Sequence, residues 1–307
     1  MANTLLTISM ITREALRVLE NNLTFTKGVN RQYDDRFGVE GAKIGTVLNV
    51  RKPPRYVGRT GATLSVEDAT ETQVAVTLDT QFGVDINFSS EDLALKIDDF
   101  SKRFITPAVA TIANKIDNTG LALYTSVYNS VGAPGTTPNA LLTYLQAGVK
   151  LDNNAAPMDG QRSVVITPLM QATIVDALKG LFQQASAIAS QYRRGQMGTA
   201  IGFDWFMDQN CNTHTVGPLG GTPLCNGVPT TGATTLVTDG WTASAAARLK
   251  KGDVFTIAGV NSVNPQSRQS TGEAQQFVVT ADVSSDGSGN LTAAISPSIT
   301  TSGAFQT

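Results

Sequence analysis

Histidine is nearly absent: His214 is the only one in 307 residues. That excludes imidazole-rich metal centres, and most His-based nucleophile systems unless His214 itself serves. Cysteine is almost as scarce. Cys211 and Cys225 are too few for a disulfide framework in a chain of this length. Cys211-Asn-Thr-His214 has the close spacing of half a zinc site, with Cys225 as a third ligand, but no fourth Cys or His exists to complete it. Free thiols beside an incidental histidine are the plainer reading, so no metal and no cofactor are expected. Charge is low as well, at 16% of residues against about 25% in an ordinary globular protein. The net charge of −2 gives no global drive toward nucleic acid or an anionic membrane. No apolar run approaches the eighteen or so residues of a membrane span. The amino-terminal stretch is interrupted by Arg13, Glu14 and Arg17 and has no basic leader, so it does not read as a signal peptide, and synthesis in the cytosol is expected. Phosphate loops, dinucleotide fingerprints, nucleophile elbows and HExxH are all missing. The acid pairs Asp34-Asp35 and Asp98-Asp99 read as solvated turn and helix-face residues. An enzyme built on Cys211 and His214 is the one catalytic reading left, and nothing nearby supplies a third group to orient the pair.

What fills the space is small and polar. Thr, Ser, Asn, Ala and 28 glycines replace the missing charge, while hydrophobic residues still make up 41% and allow a sizeable core. A surface of that kind is common where much of it meets other subunits.

The chain is organised around Ser89 to Tyr128. A serine start with Glu91 and Asp92 suits a helix N-terminus. Leu93, Ile97, Phe100 and Phe104 then recur at helical spacing. Thr106-Pro107 gives a second start signal, so a break is expected near Ile105. Val109, Ile112, Ile116, Leu123 and Val127 continue the apolar stripe, with Lys115, Asp117 and Asn118 on the opposite faces as solvent or partner contacts. The second helix should run about six turns, roughly 30 Å, and act as a spine.

Ahead of the spine, residues 3 to 24 read as an amphipathic helix whose apolar side, including Leu6, Ile11 and Val18, needs something to dock on, in its own chain or a neighbour. Lys43 to Val50 and Gln73 to Asn87 alternate as two long strands. Between them RKPPRYVGRTGA is too rich in proline, glycine and cation to form a core. The pair reads as a projecting β-arm. Its cations Arg51, Lys52, Arg55 and Arg59, with Tyr56 among them, read better as contacts for acids on a neighbour than as a nucleic-acid site.

Behind the spine, GAPGTTP closes the helix, and Asn139 to Leu151 is a short helix. Ser163 to Thr167 and Ile201 to Met207 are buried strands, Pro168 to Leu178 is a helix, and Phe182 to Gly198 is a polar, solvent-facing segment. From about Pro218 helical periodicity disappears. Asp253 to Val260, Gln276 to Asp282 and Leu291 to Ile295 read as strands of a small β-barrel or sandwich. The fold class is α+β.

This order of parts resembles the major capsid protein of tailed bacteriophages, the Hong Kong 97-like capsid fold, and within it the Salmonella podovirus type of coat protein with an inserted β-barrel. TQVAVTLDTQFGVDINFSSEDLAL resembles the segment joining arm to spine. RSVVITPLMQATIVDAL and IGFDWFMDQNCNTHTVG resemble axial-domain pieces, and LKKGDVFTIAGVNSVNPQSRQSTGEAQQFVVTADV resembles the inserted barrel. The resemblance implies an N-terminal arm over 1–40, an extended arm or E-loop over 41–88, a spine and peripheral domain over 89–138, an axial domain over 139–217 and an inserted barrel over 218–307. Family chains return through the axial domain after the barrel, so either a C-terminal return is missing after Thr307 or the insertion assignment fails. The implied function is self-assembly into the hexamers and pentamers of an icosahedral head around double-stranded DNA, bound without sequence specificity. Implied partners are further copies of itself, a scaffolding protein and a portal, with no membrane. The implied location is the virion, assembled in the host cytoplasm. Arg51, Lys52, Arg55, Tyr56, Arg59, Leu6, Ile11 and Val18 become the candidate inter-subunit contacts. Another self-assembling virion or surface-layer protein, and more remotely the cysteine enzyme, are the alternatives.

Overall fold

A proline at the second position of a helix dictates how the spine begins. Pro107 has no N–H to donate, and its ring would clash with the carbonyl four residues back. The chain absorbs this by running Ser101–Ile105 as a π-helical turn directly into helix α3, Thr106–Leu121. The expected break near Ile105 is therefore a widened turn and not an interruption. A 3-10 turn, Ala122–Ser126, ends the spine. The computed structural model describes residues 12–19, 23–29, 47–52, 54, 56, 58–64, 66, 68, 71–77, 80–85, 101–178, 198–243 and 247–303. Residues 89–100 of the expected spine, the polar segment before Gly198, both acid pairs, Leu6, Ile11 and Arg55 lie outside them.

Two compact units make up the chain: Met1–Asn21 with Gly28–Ile112, and Asn22–Lys27 with Ala113–Thr307. In the first, residues 12–19 form helix α1. Val18 is buried with Ile105 and Val109, and Ala15, Leu19 and Phe104 close around them. The Glu14 carboxylate accepts from Arg17 Nε at 3.0 Å and from Ser101 Oγ at 2.9 Å, and these bonds, Arg17 foremost, hold its pKa at about 2. The terminal helix thus finds a docking site inside its own chain through Val18.

The same unit holds β1, Val47–Lys52, antiparallel to β2, Thr72–Thr77, in a register from Val47 opposite Thr77 to Lys52 opposite Thr72. The arm is real but its strands are offset from expectation. β1 extends through Arg51 and Lys52, and β2 ends at Thr77. Phe82 and Val84 keep the alternation, yet residues 80–85 are not strand, because a strand needs a ladder partner and none pairs with them among the described residues.

In the second unit the single turn α2, Phe25–Gly28, lies against α3. α3 buries one residue per turn, Ala113 and then Asp117, so the i, i+4 row faces inward. Asp117 was expected as a solvent or partner contact and is 2% exposed within its own chain. It faces inward because its carboxylate is saturated by donors from residues 24–26. The apolar stripe also ends sooner than its periodicity implies: Leu123 and Val127 are exposed.

Helix α4, Leu141–Asn153, and helix α5, Pro168–Leu178, sit with the three-stranded sheet β3–β5–β4. β3 is Ser163–Ile166, β4 Thr199–Ala200 and β5 Phe203–Met207; β3 and β5 are parallel. Their core is Tyr144, Ile166, Ile174, Phe203 and Trp205, with the Tyr144 and Trp205 rings 4.8 Å apart. Ile201 was expected inside the second strand. It has φ +55 and Gly202 has φ +78, the tight left-handed pair that folds β4 back on β5.

The β-rich part is larger than three strands. β6 is Gly221–Cys225, β7 Thr235–Trp241, β8 Ala247–Leu249, β9 Val254–Val263, β10 Ser270–Val279, β11 Val283–Ser284 and β12 Leu291–Ser296. Five of them form one sheet in the order β6–β7–β12–β10–β9, and β11 pairs with β8. Leu291, Ala293 and Ile295 alternate inward along β12 and meet Leu236, Leu249, Phe277, Val279 and Ile299 in the core.

Candidate assembly surfaces

The arm has one greasy face and no core of its own. Residues directly opposite in an antiparallel ladder share a face. Leu48 with Val76 and Val50 with Val74 therefore make a four-residue apolar patch, while Asn49, Arg51, Gln73 and Ala75 fill the other side. Val74 is 42% and Val76 47% exposed. Every residue of β2 is exposed. A two-stranded ribbon of this kind is marginal in water.

The expected contact cations behave differently from one another. Arg51 reaches Glu71 at 3.6 Å with both side chains largely in water, a pairing of small value. Lys52 ends β1, exposed. Arg59 donates to the carbonyl of Thr63 at 2.8 Å and to that of Gly61, which pins the turn at the tip of the arm. Tyr56, with Leu64 and Val66, is exposed along the excursion. Leu48, Val50, Val74 and Val76 were not among the candidate contacts. Their alternation was visible, but the cations beside them are the more conspicuous residue type.

Helix α4 also leaves apolar side chains in water: Leu142, Leu145 and Val149 are exposed at i, i+3 and i+7. Beside Val149, a groove of about 390 Å³ is lined by Ser130, Gln146, Lys150, Thr256, Glu273 and Gln276 among others. The Lys150–Glu273 ion pair at 2.5 Å crosses it. Gln276 exchanges hydrogen bonds with Ser130 at 3.0 Å, and Asn264 Nδ2 donates to the Asn153 carbonyl at 2.9 Å. These bonds stitch β9 and β10 to α4 and to the loop after the spine.

The thiol–imidazole pair does not form. His214 Nε2 lies 2.7 Å from Asp253 Oδ1, and its Nδ1 lies 3.2 Å from the Tyr124 hydroxyl, so both ring nitrogens are engaged elsewhere. Cys211 is half-buried, and burial, followed by the nearby Asp208 charge, pushes its pKa up, away from a thiolate. Cys225 is exposed. Among the described residues no three His, Cys, Asp or Glu side chains converge as a metal site, and no helix is long and apolar enough to cross a membrane. Brief treatment of the unassembled subunit with a maleimide should label Cys225 nearly completely and Cys211 at least about tenfold more slowly, read by peptide mass spectrometry.

A sequence model described as P22 coat protein - gene protein 5 matches residues 3–302, nearly the whole chain. The match makes this a major capsid protein of a phage head. The chain belongs to the P22 coat protein family. A solved structure titled Mycobacterium phage Che8 is similar at 15% identity over 88% of this chain and 84% of that chain, with a TM-score of 0.42. No curated protein matches.

Proposed function

We propose that copies of this chain build hexamers and pentamers that close into an icosahedral head around double-stranded DNA, in the Hong Kong 97-like arrangement. The arm over 41–88 lies on an adjacent subunit, residues 89–138 form the spine of a peripheral domain, 139–217 an axial domain and 218–307 a β-barrel inserted between axial segments. Residues 1–40 are an N-terminal arm. Arg51, Lys52, Arg55, Tyr56 and Arg59 face the neighbour, as do Leu6 and Ile11. A scaffolding protein guides assembly in the host cytoplasm and a portal occupies one vertex.

The observation that carries this reading is the arm: a regular ladder whose apolar face leaves Val74 and Val76 exposed and Leu48 and Val50 only half-buried. Such a ribbon gains burial from a second molecule, and in a shell each contact is repeated by symmetry. Val74→Asp with Val76→Asp places two carboxylates on that face. Burying them unpaired is unfavourable, so shell yield by electron microscopy and sedimentation should fall more than about tenfold. The soluble subunit should keep its far-ultraviolet circular dichroism, since neither residue supports a core. Normal shells from the double variant would overturn the arm's role. Charge reversal at Arg51 and Arg55 should weaken assembly less, because rim charges act mainly on encounter.

A further inference from the structure

Asn226-Gly227 is the single Asn-Gly pair in the chain. Such a pair is where a peptide chain can attack itself. The backbone nitrogen of the second residue reaches the side-chain carbonyl of the first, and glycine has no Cβ to obstruct the approach. The reaction needs the pair in water, the attacking N–H free of an acceptor, and a backbone with room to turn. Asn226 and Gly227 are both exposed, at the start of the loop that leaves β6 for β7.

Asn226 N donates to the Val237 carbonyl at 2.9 Å, and the next backbone N–H along the chain to find an acceptor is that of Gly232, which reaches the Ile299 carbonyl at 2.8 Å. Residues 227–231 are the slack between these two anchors. Neither the Gly227 N–H nor the Asn226 side-chain amide has a hydrogen-bond partner among the described residues. Other loop asparagines differ. The N–H after Asn129, that of Ser130, donates to Gln276 Oε1 at 3.0 Å, and those after Asn153 and Asn154 donate to the carbonyls of Lys150 and Asp152 at 3.2 and 2.9 Å. Asn264 is followed by a proline, which has no N–H. Gly227 has φ +88, and a Cβ there would meet nothing within 4 Å. The left-handed turn, not packing, demands the glycine, and the same residue type makes the turn open to attack.

We propose that Asn226 is a self-modification site, converted by water alone into isoaspartate and aspartate. Gly227 N gives its proton to hydroxide and bonds to Asn226 Cγ. The Cγ–Nδ2 bond breaks, ammonia leaves, and a five-membered succinimide closes. One water then opens the ring. Cleavage at Cγ gives aspartate, and cleavage at the main-chain carbonyl gives isoaspartate; nothing is oxidised or reduced. Either product puts a carboxylate into residues 209–238, which hold no Asp, Glu, Lys or Arg, and adds one negative charge to a chain of net charge −2. The extra main-chain methylene of isoaspartate falls in the slack before Gly232, so the β6–β7 ladder is kept. The inference stands apart from the assembly reading and does not depend on it.

The test is to hold the unassembled subunit in mildly alkaline heavy-oxygen water and follow its peptides by mass spectrometry. The Asn226 peptide should turn acidic with one heavy oxygen, at least about tenfold faster than a peptide holding any other asparagine. The rate should climb with pH, since hydroxide takes the Gly227 proton. Isoaspartyl methyltransferase should methylate the aged chain and not the fresh one. Gly227→Ala should slow conversion at least about tenfold by placing a Cβ in the path. Asn226→Gln, which changes only an exposed side chain and lengthens the ring to six members, should remove the new acidic band on isoelectric focusing. Because the fold leaves this N–H free, the urea-unfolded chain should convert less than about tenfold faster than the folded one. A larger gap, other asparagines converting ahead of Asn226, an aged chain that accepts no methyl group, or Gly227→Ala converting at the unaltered rate would each overturn the proposal.

Discussion

Asp253→Ala should destabilise the subunit by roughly 3–5 kcal/mol, the upper range for a single substitution. Asp253 is buried. Its Oδ2 accepts from Lys250 N at 2.8 Å and Gly217 N at 3.1 Å, and its Oδ1 faces His214 Nε2 at 2.7 Å. One carboxylate thereby joins the turn before β9, the segment leading into β6 and, through His214 and Tyr124, the end of the spine. Gly252 has φ +97, and a Cβ there would lie 3.1 Å from the His214 ring and 3.0 Å from Thr125, so the turn is also closed sterically. Alanine leaves two backbone N–H groups without an acceptor in a place water does not reach freely, which is the costly half of losing a hydrogen bond. Asp253→Asn keeps one acceptor oxygen but turns an amide N–H₂ toward the other donors, and should cost less than alanine and more than nothing. Urea unfolding of the unassembled subunit reads both. A midpoint for Asp253→Ala within experimental error of the unaltered chain would show that the junction is held by something else. His214→Ala should cost less than Asp253→Ala, since the imidazole is partly exposed and the carboxylate keeps its two backbone donors.

Much of the architecture was legible because its signals are local. Pro168–Leu178 appears with the limits its proline start implies. The strands around Val164, Trp205, Phe277 and Ile295 were visible as short apolar or alternating runs, and each ends up in a core. β7 was missed although Leu236 and Thr238 alternate inward along it; β6, β8 and β11 were missed for a physical reason. Gly221–Cys225 is an exposed edge with a glycine and a proline, and Thr222 is its one β-branched residue, so neither alternation nor β-branched enrichment marks it. β8 and β11 are three and two residues long and exist only because they pair with each other. The arm shows both sides of the lesson. Its existence could be read from two alternating runs, but its working surface is defined by register. Leu48 meets Val76, and Val50 meets Val74, only once the ladder is set. A one-residue slip of one strand would break up that patch. His214 illustrates the opposite error: proximity in sequence suggested Cys211 as its partner, whereas the fold gives it Asp253, thirty-nine positions away.

Asp117→Ala should have an effect of similar size for a different structural reason. Asp117 sits mid-helix in α3, where an aspartate is otherwise unfavourable, and it is almost fully buried. Thr24 N donates to Oδ2 at 2.7 Å, and Thr26 N and Thr26 Oγ1 donate to Oδ1 at 3.0 and 2.7 Å. The carboxylate thus serves as the acceptor for the first N–H groups of α2, from more than ninety residues away. One turn further along α3, Gly120 makes room for the Phe25 ring: a Cβ there would come within 2.6 Å of it. Carboxylate and glycine together dock the α2 turn onto the spine, and neither works if the helix slips. Hydrogen bonds to a charged acceptor contribute about 1.5–3 kcal/mol each, net of the bonds to water they replace. With three lost and partial recovery through water, Asp117→Ala should lower stability by roughly 3 kcal/mol or more. Thr26→Ala removes one hydroxyl donor and leaves both backbone bonds, so about 1.5 kcal/mol, the low end of that range, is expected. The double variant Asp117→Ala/Thr26→Ala should be less damaging than the sum, because the hydroxyl has no carboxylate left to lose. Strict additivity in that cycle, measured by urea unfolding of the unassembled subunit, would show that the two residues do not act on each other as the geometry requires.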